Sequence, residues 1–125
     1  YTLHIVGSVN VYKRQAHPLY GTDEDYWRSA IWVPVNYLVL GALRAYAHEH
    51  GPHQALAAQL YRELRVHVVR TVLEVCSRRT RYYKSYEATG YTWEQYDAET
   101  GAGRRSHPFT GWTSLVVLIM AEQYI

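Results

Sequence analysis

The chain has 125 residues, the length of one ordinary domain, with 48% hydrophobic and 19% charged residues. This composition is globular and excludes a disordered or fibrous protein. The formal net charge of +2 is too small to indicate nucleic acid or an anionic membrane as a partner. The single cysteine, Cys76, excludes an internal disulfide framework and a zinc site made of several thiolates.

The first third of the sequence predicts a weak strand, a loop and a helix. Residues 1–12 alternate loosely between apolar and polar side chains, which indicates a weak strand or an unattached arm. Residues 17–32 have the polar and aromatic composition of a loop. Pro34 has the fixed φ of a first helical turn, and the apolar residues that follow predict a helix ending before Gly51.

A second helix follows the Gly51-Pro52 turn and has a pronounced apolar repeat. The repeating residues are Leu56, Leu60, Leu64, Val68 and Val72, with Ala57 and Tyr61 alongside. Their spacing predicts one apolar helical face, with charged residues on the others. The pattern decays beyond Cys76 into a run rich in arginine and tyrosine.

The last part of the chain is predicted as a long irregular segment, residues 87–112, and a final helix, residues 113–124. The expected fold class is therefore all-α, with about three main helices joined by long loops that carry the chemistry. No apolar run approaches the ~20 residues of a membrane-spanning helix. Because the final helix is strongly apolar, we expect it to be covered by a further part of the protein.

The segment around Glu94 is the first candidate for chemistry. Trp93 and Tyr96 flank this carboxylate, and burial between such rings would raise its pKa and place it beside a stacked sugar. The alternative is a surface loop in which Trp93 packs inward and Glu94 makes a structural hydrogen bond.

Two further groups of residues have the character of a sugar site. The tryptophans of the first group would form a wall, while its planar polar groups bind hydroxyls; its members are Trp27, Arg28, Trp32 and Asn36. The second group contains His107 and Trp112, just before the final helix. The alternative readings are a packed helix entrance, with Trp32 in the core, and an aromatic-rich turn.

Other chemistries are weakly supported. His48, His50 and His53 straddle a predicted helix end, so no spacing places them on one face as metal ligands. The basic and aromatic run of residues 78–86 could bind single-stranded nucleic acid, but the near-neutral charge favours a solvated helix end. The sequence has no glycine-rich phosphate loop and no Gly-x-Ser-x-Gly nucleophile motif.

Several of these motifs, taken together and in order, resemble glycoside hydrolase family 63, the processing α-glucosidases. The motifs are Tyr26-Trp27-Arg28, Ile31-Trp32, Asn36-Tyr37-Leu38, Gly90-Tyr91, Trp93-Glu94-Gln95-Tyr96, His107-Pro108-Phe109 and Gly111-Trp112-Thr113. The likeness is to the C-terminal part of the family's catalytic domain and covers about residues 16–125.

The resemblance implies part of an (α/α)6 barrel and inverting hydrolysis of the terminal α-1,2-linked glucose of the N-glycan precursor. It implies that Glu94 is the general base, while no segment of this chain matches the family's general acid. It also implies sugar contacts for Trp27, Trp93 and Trp112, and weaker ones for Arg28 and Asn36. An oligosaccharide substrate is expected, with no cofactor, no metal and no nucleic acid.

The same resemblance bears on the boundaries and the cellular location. Residues 1–15 do not match the family and are expected to be an extension, and residues 75–84 look like an insertion. The family implies the lumen of the endoplasmic reticulum, with a membrane anchor that this chain does not contain. We expect the chain alone to be inactive. The alternatives are a non-catalytic carbohydrate-binding remnant and a basic, aromatic RNA-binding module.

Overall fold

A computed structural model describes residues 30–73, 86–98 and 100–122. This part is mostly helical, which confirms the predicted all-α class. Its elements are β1 (Ala30–Ile31), α1 (Val33–His48), α2 (Gln54–Leu73), α3 (Tyr86–Thr89), β2 (Gln95–Asp97), β3 (Gly103–Arg104), a 3-10 turn (Trp112–Ser114) and α4 (Leu115–Ala121). The predicted N-terminal strand, Trp27, Arg28, Cys76 and the basic run up to residue 85 lie outside the described residues.

The two long helices form an antiparallel pair separated by the short turn at Gly51. Helix α1 begins one residue before Pro34 and confirms the helix predicted there. Helix α2 buries a face made of Ala57, Tyr61, Leu64, Val68 and Val72, with Arg65 beside it. Leu56, which the four-residue repeat placed on that face, is 52% exposed. A repeat of four drifts around a helix of 3.6 residues per turn, so the face shifts to Ala57 and Tyr61.

The final helix closes the core over both long helices. The residues predicted to start it form a 3-10 turn, which continues directly into α4. Val116 and Ile119 of α4 join the apolar cluster formed by α1 and α2. Arg65 donates hydrogen bonds from Nε to the carbonyl of Ile119 (2.9 Å) and from Nη2 to that of Met120 (2.9 Å). These bonds satisfy carbonyl groups that the end of a helix leaves without intrahelical partners.

A second contact to the same helix end comes from Tyr61. Its hydroxyl donates to Oε2 of Glu122 at 2.5 Å, and Arg44 lies 3.6 Å from the other oxygen of that carboxylate. Burial, the hydrogen bond to Glu122 and the negative charge of that carboxylate raise the pKa of Tyr61 to about 12. Helix α2 therefore anchors the end of α4 through polar side chains as well as through the core.

The sequence predicted an irregular segment over residues 87–112, but the structure has regular elements in it. It contains the single-turn helix α3 and the hairpin of β2 and β3, which joins β1 in an antiparallel sheet of order β1-β2-β3. Ala30 pairs with Asp97, and Tyr96 pairs with both Ile31 and Gly103. Strands of two or three residues are too short to show an alternating pattern, so sequence periodicity missed them. The sheet fixes the hairpin directly in front of the start of α1.

Apolar side chains remain exposed on the outer faces of α1 and α4. Leu38 of α1 is 71% exposed, and Val117, Leu118 and Met120 of α4 are also exposed. Among the helices that the structure describes, none is both long enough and apolar enough to cross a membrane.

Candidate active site

Glu94 lies immediately before β2, where the chain enters the hairpin. Its backbone N–H donates to the carbonyl of Ser106 (3.0 Å), and its own carbonyl accepts from the indole Nε1 of Trp112 (2.7 Å). The preceding carbonyl, that of Trp93, accepts from Oγ1 of Thr113 (2.6 Å). The backbone at Glu94 is therefore held from two sides, by the hairpin and by the start of the final helix.

The carboxylate of Glu94 is also held in place. The residue is only 8% exposed, and the backbone N–H of Ser106 donates to Oε2 at 3.3 Å. Ser106 thus binds Glu94 twice, once through its carbonyl and once through its N–H. A buried carboxylate with a fixed orientation is suited to taking a proton from a water molecule bound at one position.

Asp97, the other described carboxylate close to Glu94 in sequence, is used by the hairpin turn. Its Oδ1 accepts from the backbone N–H (2.9 Å) and the hydroxyl (3.0 Å) of Thr100, and its Oδ2 lies 3.6 Å from Arg104. This is the local bonding typical of aspartate in a turn. Asp97 is therefore a structural group of the hairpin.

Trp93 is packed within the hairpin and is 5% exposed. A Cβ atom added at Gly103 would lie 2.2 Å from Cγ of Trp93, so the indole rests directly on the backbone of β3. The ring of His107 lies 3.8 Å from the indole, centroid to centroid, and Tyr91 stacks on His107 at 5.4 Å. His107 is exposed, so the outer part of this aromatic stack faces solvent.

A second aromatic group links the start of α1 to the start of the final helix. Trp32 is buried, and its ring centroid lies 5.7 Å from that of Trp112. Phe109 lies 4.9 Å from Trp112 on this same group. Trp112 itself is 36% exposed, more than either Trp32 or Trp93. It is therefore the described tryptophan that offers the most surface to a ligand.

The remaining predicted site residues in the described parts are buried. Asn36 is fully buried in α1, and its Nδ2 donates to the carbonyl of Trp32 at 2.7 Å. Tyr96 is fully buried in β2, and its hydroxyl accepts from the backbone N–H of Trp93 at 3.2 Å. Burial raises the pKa of Tyr96, and the hydrogen bond from Trp93 opposes this in part. Asn36 thus binds the backbone of Trp32 and Tyr96 binds the backbone of Trp93, so both side chains stabilise the structure around Glu94.

The three histidines considered as metal ligands, His48, His50 and His53, are exposed around the turn between α1 and α2. No group of three histidine, cysteine or acidic side chains in the described ranges is arranged to hold a metal ion.

The chain matches the family described as the glycosyl hydrolase family 63 C-terminal domain over residues 9–122. That is most of its length, and it includes Glu94 together with Ser106 and Trp112, which bind it. The chain belongs to glycosyl hydrolase family 63. The match begins within residues 1–15, so the boundary of the predicted extension remains a prediction.

Curated relatives agree with this family. The chain is 48% identical over 106 residues to the probable mannosyl-oligosaccharide glucosidase of Schizosaccharomyces pombe. It is 39% identical over 102 residues to mannosyl-oligosaccharide glucosidase GCS1 of Arabidopsis thaliana, and 36% identical over 107 residues to the mannosyl-oligosaccharide glucosidase of Saccharomyces cerevisiae. These alignments cover 82–84% of this chain but only 11–12% of each relative.

Within this family 63 domain, the sequence predicted Glu94, the rings around it and Trp112 as candidate site residues, and it placed Thr113 in a family motif. It assigned no contact with Glu94 or Trp93 to Ser106, Thr113 or Gly103. The backbone groups of Ser106 leave no mark on the side-chain pattern. The only available signal for the hairpin was the glycine pair Gly101 and Gly103, which is typical of a turn with positive φ, and Gly101 does have φ 73°.

Proposed function

We propose that this chain is the C-terminal part of the catalytic domain of an inverting α-glucosidase, with Glu94 as the general base. The observation that carries the proposal is the Glu94 carboxylate, which is buried and oriented by Ser106 in a family 63 domain. The substrate is the terminal α-1,2-linked glucose of the N-glycan precursor. The names of the relatives, mannosyl-oligosaccharide glucosidases, support this substrate class.

In an inverting mechanism, Glu94 carries out one step. A water molecule attacks the anomeric carbon from the face opposite the leaving group, and Glu94 takes a proton from that water. The bond between the anomeric carbon and the glycosidic oxygen breaks, its electron pair stays on that oxygen, and a carboxylic acid protonates it. The two carboxyl groups must stand about 6.5–9.5 Å apart to leave room for the water.

The general acid comes from another part of the polypeptide. Asp97 is bound to its own hairpin turn. It follows Glu94 by only three residues, at the end of β2, whereas the acid must stand across the sugar ring. The chain spans only 11–12% of the length of its relatives, which leaves ample sequence for the acid. The isolated chain is therefore expected to be catalytically silent.

The sugar contacts are assigned to the exposed aromatic surface beside Glu94. Trp112 contributes the most exposed indole among the described tryptophans, and His107 is exposed on the neighbouring stack. Aromatic faces of this kind cover the apolar face of a sugar ring while polar groups bind its hydroxyls. Trp27 and Arg28, which lie outside the described residues, keep their proposed sugar contacts. The buried Trp32, Trp93, Asn36 and Tyr96 support the proposed binding region from within the fold.

The exposed apolar faces fit a domain that continues beyond this chain. Leu38 on α1 and Val117, Leu118 and Met120 on α4 would pack against further helices of an (α/α)6 barrel. We place the complete enzyme in the lumen of the endoplasmic reticulum, attached through a membrane anchor elsewhere in its sequence. N-glycan processing in that compartment is consistent with the names of the relatives.

The proposal is tested in the full-length protein with Glu94→Gln, which keeps the shape of the side chain but cannot accept the proton. Glucose release from the α-1,2-linked disaccharide kojibiose should fall by about 100- to 10,000-fold, the usual contribution of a general base. Glu63→Gln is the matched control, since Glu63 is an exposed carboxylate of α2 that accepts a hydrogen bond from Gln59 of the same helix. The glucose released from the non-reducing end should be the β-anomer, which NMR detects as an initial excess of β-glucose over the equilibrium mixture. Activity of Glu94→Gln within tenfold of wild type, or the α-anomer formed first, would contradict the proposal.

A further inference from the structure

The first two residues of the final helical segment bind two consecutive carbonyl groups at the candidate base. Thr113 donates from Oγ1 to the carbonyl of Trp93 (2.6 Å), and Trp112 donates from Nε1 to the carbonyl of Glu94 (2.7 Å). These carbonyls bracket the Cα of Glu94, because one belongs to the peptide before it and the other to the peptide after it. Together the two bonds fix the backbone dihedrals from which the carboxylate projects.

The hydroxyl of Thr113 is directed at the hairpin and not at its own helix. The 3-10 turn begins after Gly111 without a side-chain cap, and α4 likewise has no side-chain cap at Ser114. Threonine near a helix start usually bonds the nearby backbone N–H groups of that helix. Here the bond instead spans 20 residues of sequence and is buried, since Thr113 has no exposed surface.

The hairpin holds Glu94 from the other side. Ser106 binds its N–H (3.0 Å) and its Oε2 (3.3 Å), and both contacts belong to the same short hairpin. Without the bonds from the final helix, a rotation of the peptide groups around Glu94 would carry the carboxylate with it. A displacement of about 1 Å at a reacting group is enough to slow a reaction by about 100-fold.

We infer that Thr113 and Trp112 are positioning residues for Glu94, holding the base in the orientation that activates water. This inference rests on the proposed function. It gives Trp112 a second role beside its exposed ring face, because the edge that carries the N–H binds Glu94 while the ring meets the sugar. A positioning role predicts a loss of kcat at unchanged KM, whereas loss of a sugar contact raises KM.

The test uses conservative variants of the full-length protein on kojibiose. Thr113→Val keeps the shape and removes the hydroxyl, Thr113→Ser keeps the hydroxyl and removes a methyl group, and Trp112→Phe keeps a ring and removes the N–H. Thr71→Val is the matched control, because Thr71 makes the same type of bond, from Oγ1 to the carbonyl of His67 (2.8 Å), on the exposed side of α2. Thermal unfolding of each variant is measured alongside kcat and KM.

We expect Thr113→Val to lower kcat by about tenfold or more with KM within twofold of wild type. Trp112→Phe should lower kcat to a similar extent, and its smaller ring should also raise KM. Thr113→Ser should retain kcat within threefold even where its Tm falls, since it keeps the bond but loses buried apolar surface. Thr71→Val should match wild type. If Thr113→Val fails to fold, Trp112→Phe decides by its kcat alone.

The inference is overturned if Trp112→Phe and Thr113→Val keep wild-type kcat, if they raise KM alone, or if Thr113→Ser loses kcat as fully as Thr113→Val. Its failure is distinct from failure of the proposed function. If only the positioning role is wrong, Glu94→Gln is inactive while the positioning variants are normal. If the proposed function is wrong, Glu94→Gln is itself active.

Discussion

Gly103→Ala tests how closely the hairpin packs against the residue next to Glu94. Gly103 lies in β3 opposite Tyr96, and the indole of Trp93 rests on its Cα. An added Cβ would lie 2.2 Å from Cγ of Trp93 and 2.4 Å from Cδ1 and Cδ2. The close atoms belong to a buried ring that contacts His107 and not to the end of a flexible side chain, so they cannot easily move aside.

The size of the effect follows from these distances. Carbon atoms pack best at about 3.5–4.0 Å, so the ring or the strand must move by more than ~1 Å to accept the methyl group. Overpacking of this kind costs about 1–3 kcal/mol of unfolding free energy. Trp93 and Glu94 are adjacent, so the same movement should misplace the carboxylate and reduce kcat by about 100-fold.

The assay compares Tm and kcat on kojibiose for Gly103→Ala and Gly41→Ala in the full-length protein. Gly41 lies in the middle of α1, and a Cβ added there has nothing within 4 Å. Alanine is favoured over glycine inside a helix by about 0.5–1 kcal/mol, so the control should be unchanged or slightly stabilised. Wild-type Tm and kcat in Gly103→Ala would refute the described contact between Trp93 and β3.

Two further predictions concern the anchor at the end of α4. The pKa of Tyr61 is about 12 in the folded chain and about 10 when unfolded, so the unfolded chain loses this proton first as pH rises. The contribution of Tyr61 to the unfolding free energy is therefore complete below pH 10 and falls by roughly 2 kcal/mol as pH rises toward 12. Urea unfolding at several pH values should therefore show wild type losing more stability than Tyr61→Phe over that range; parallel losses would contradict the assignment. Arg65→Met removes donors from the carbonyls of Ile119, Met120 and Glu122 and should lower the unfolding free energy by about 3 kcal/mol. A change below about 0.5 kcal/mol would show that the end of α4 does not depend on Arg65.

The predicted apolar face of α2 illustrates what periodicity can and cannot predict. It located the helix correctly, but an α-helix turns by about 100° per residue, so Leu56 and Val72 stand about 160° apart. Ala57 and Val72 are only about 60° apart by the same count. The helix therefore buries the smaller Ala57 and exposes Leu56, because the direction of the partner helices, and not side-chain size, selects the face.

The candidate site shows a different limit of prediction from sequence. Glu94 and its neighbouring rings were predicted from local residue types and from the resemblance to a family. Its supports are tertiary: Ser106 is 12 residues away and Thr113 is 20 residues from its partner Trp93. Such contacts depend on a sheet with strands of two or three residues, which leaves no periodic signal in the sequence.

Chemical rescue of Glu94→Ala by azide tests the central claim most directly. Azide has no proton to lose at neutral pH, so its attack on the anomeric carbon needs no base, and the shortened side chain leaves room for it. In the full-length protein, Glu94→Ala should be inactive in water, and azide should restore turnover with β-glucosyl azide as the product. A folded and inactive Glu94→Ala protein that gains no turnover and forms no glucosyl azide would contradict the assignment of Glu94 as the general base.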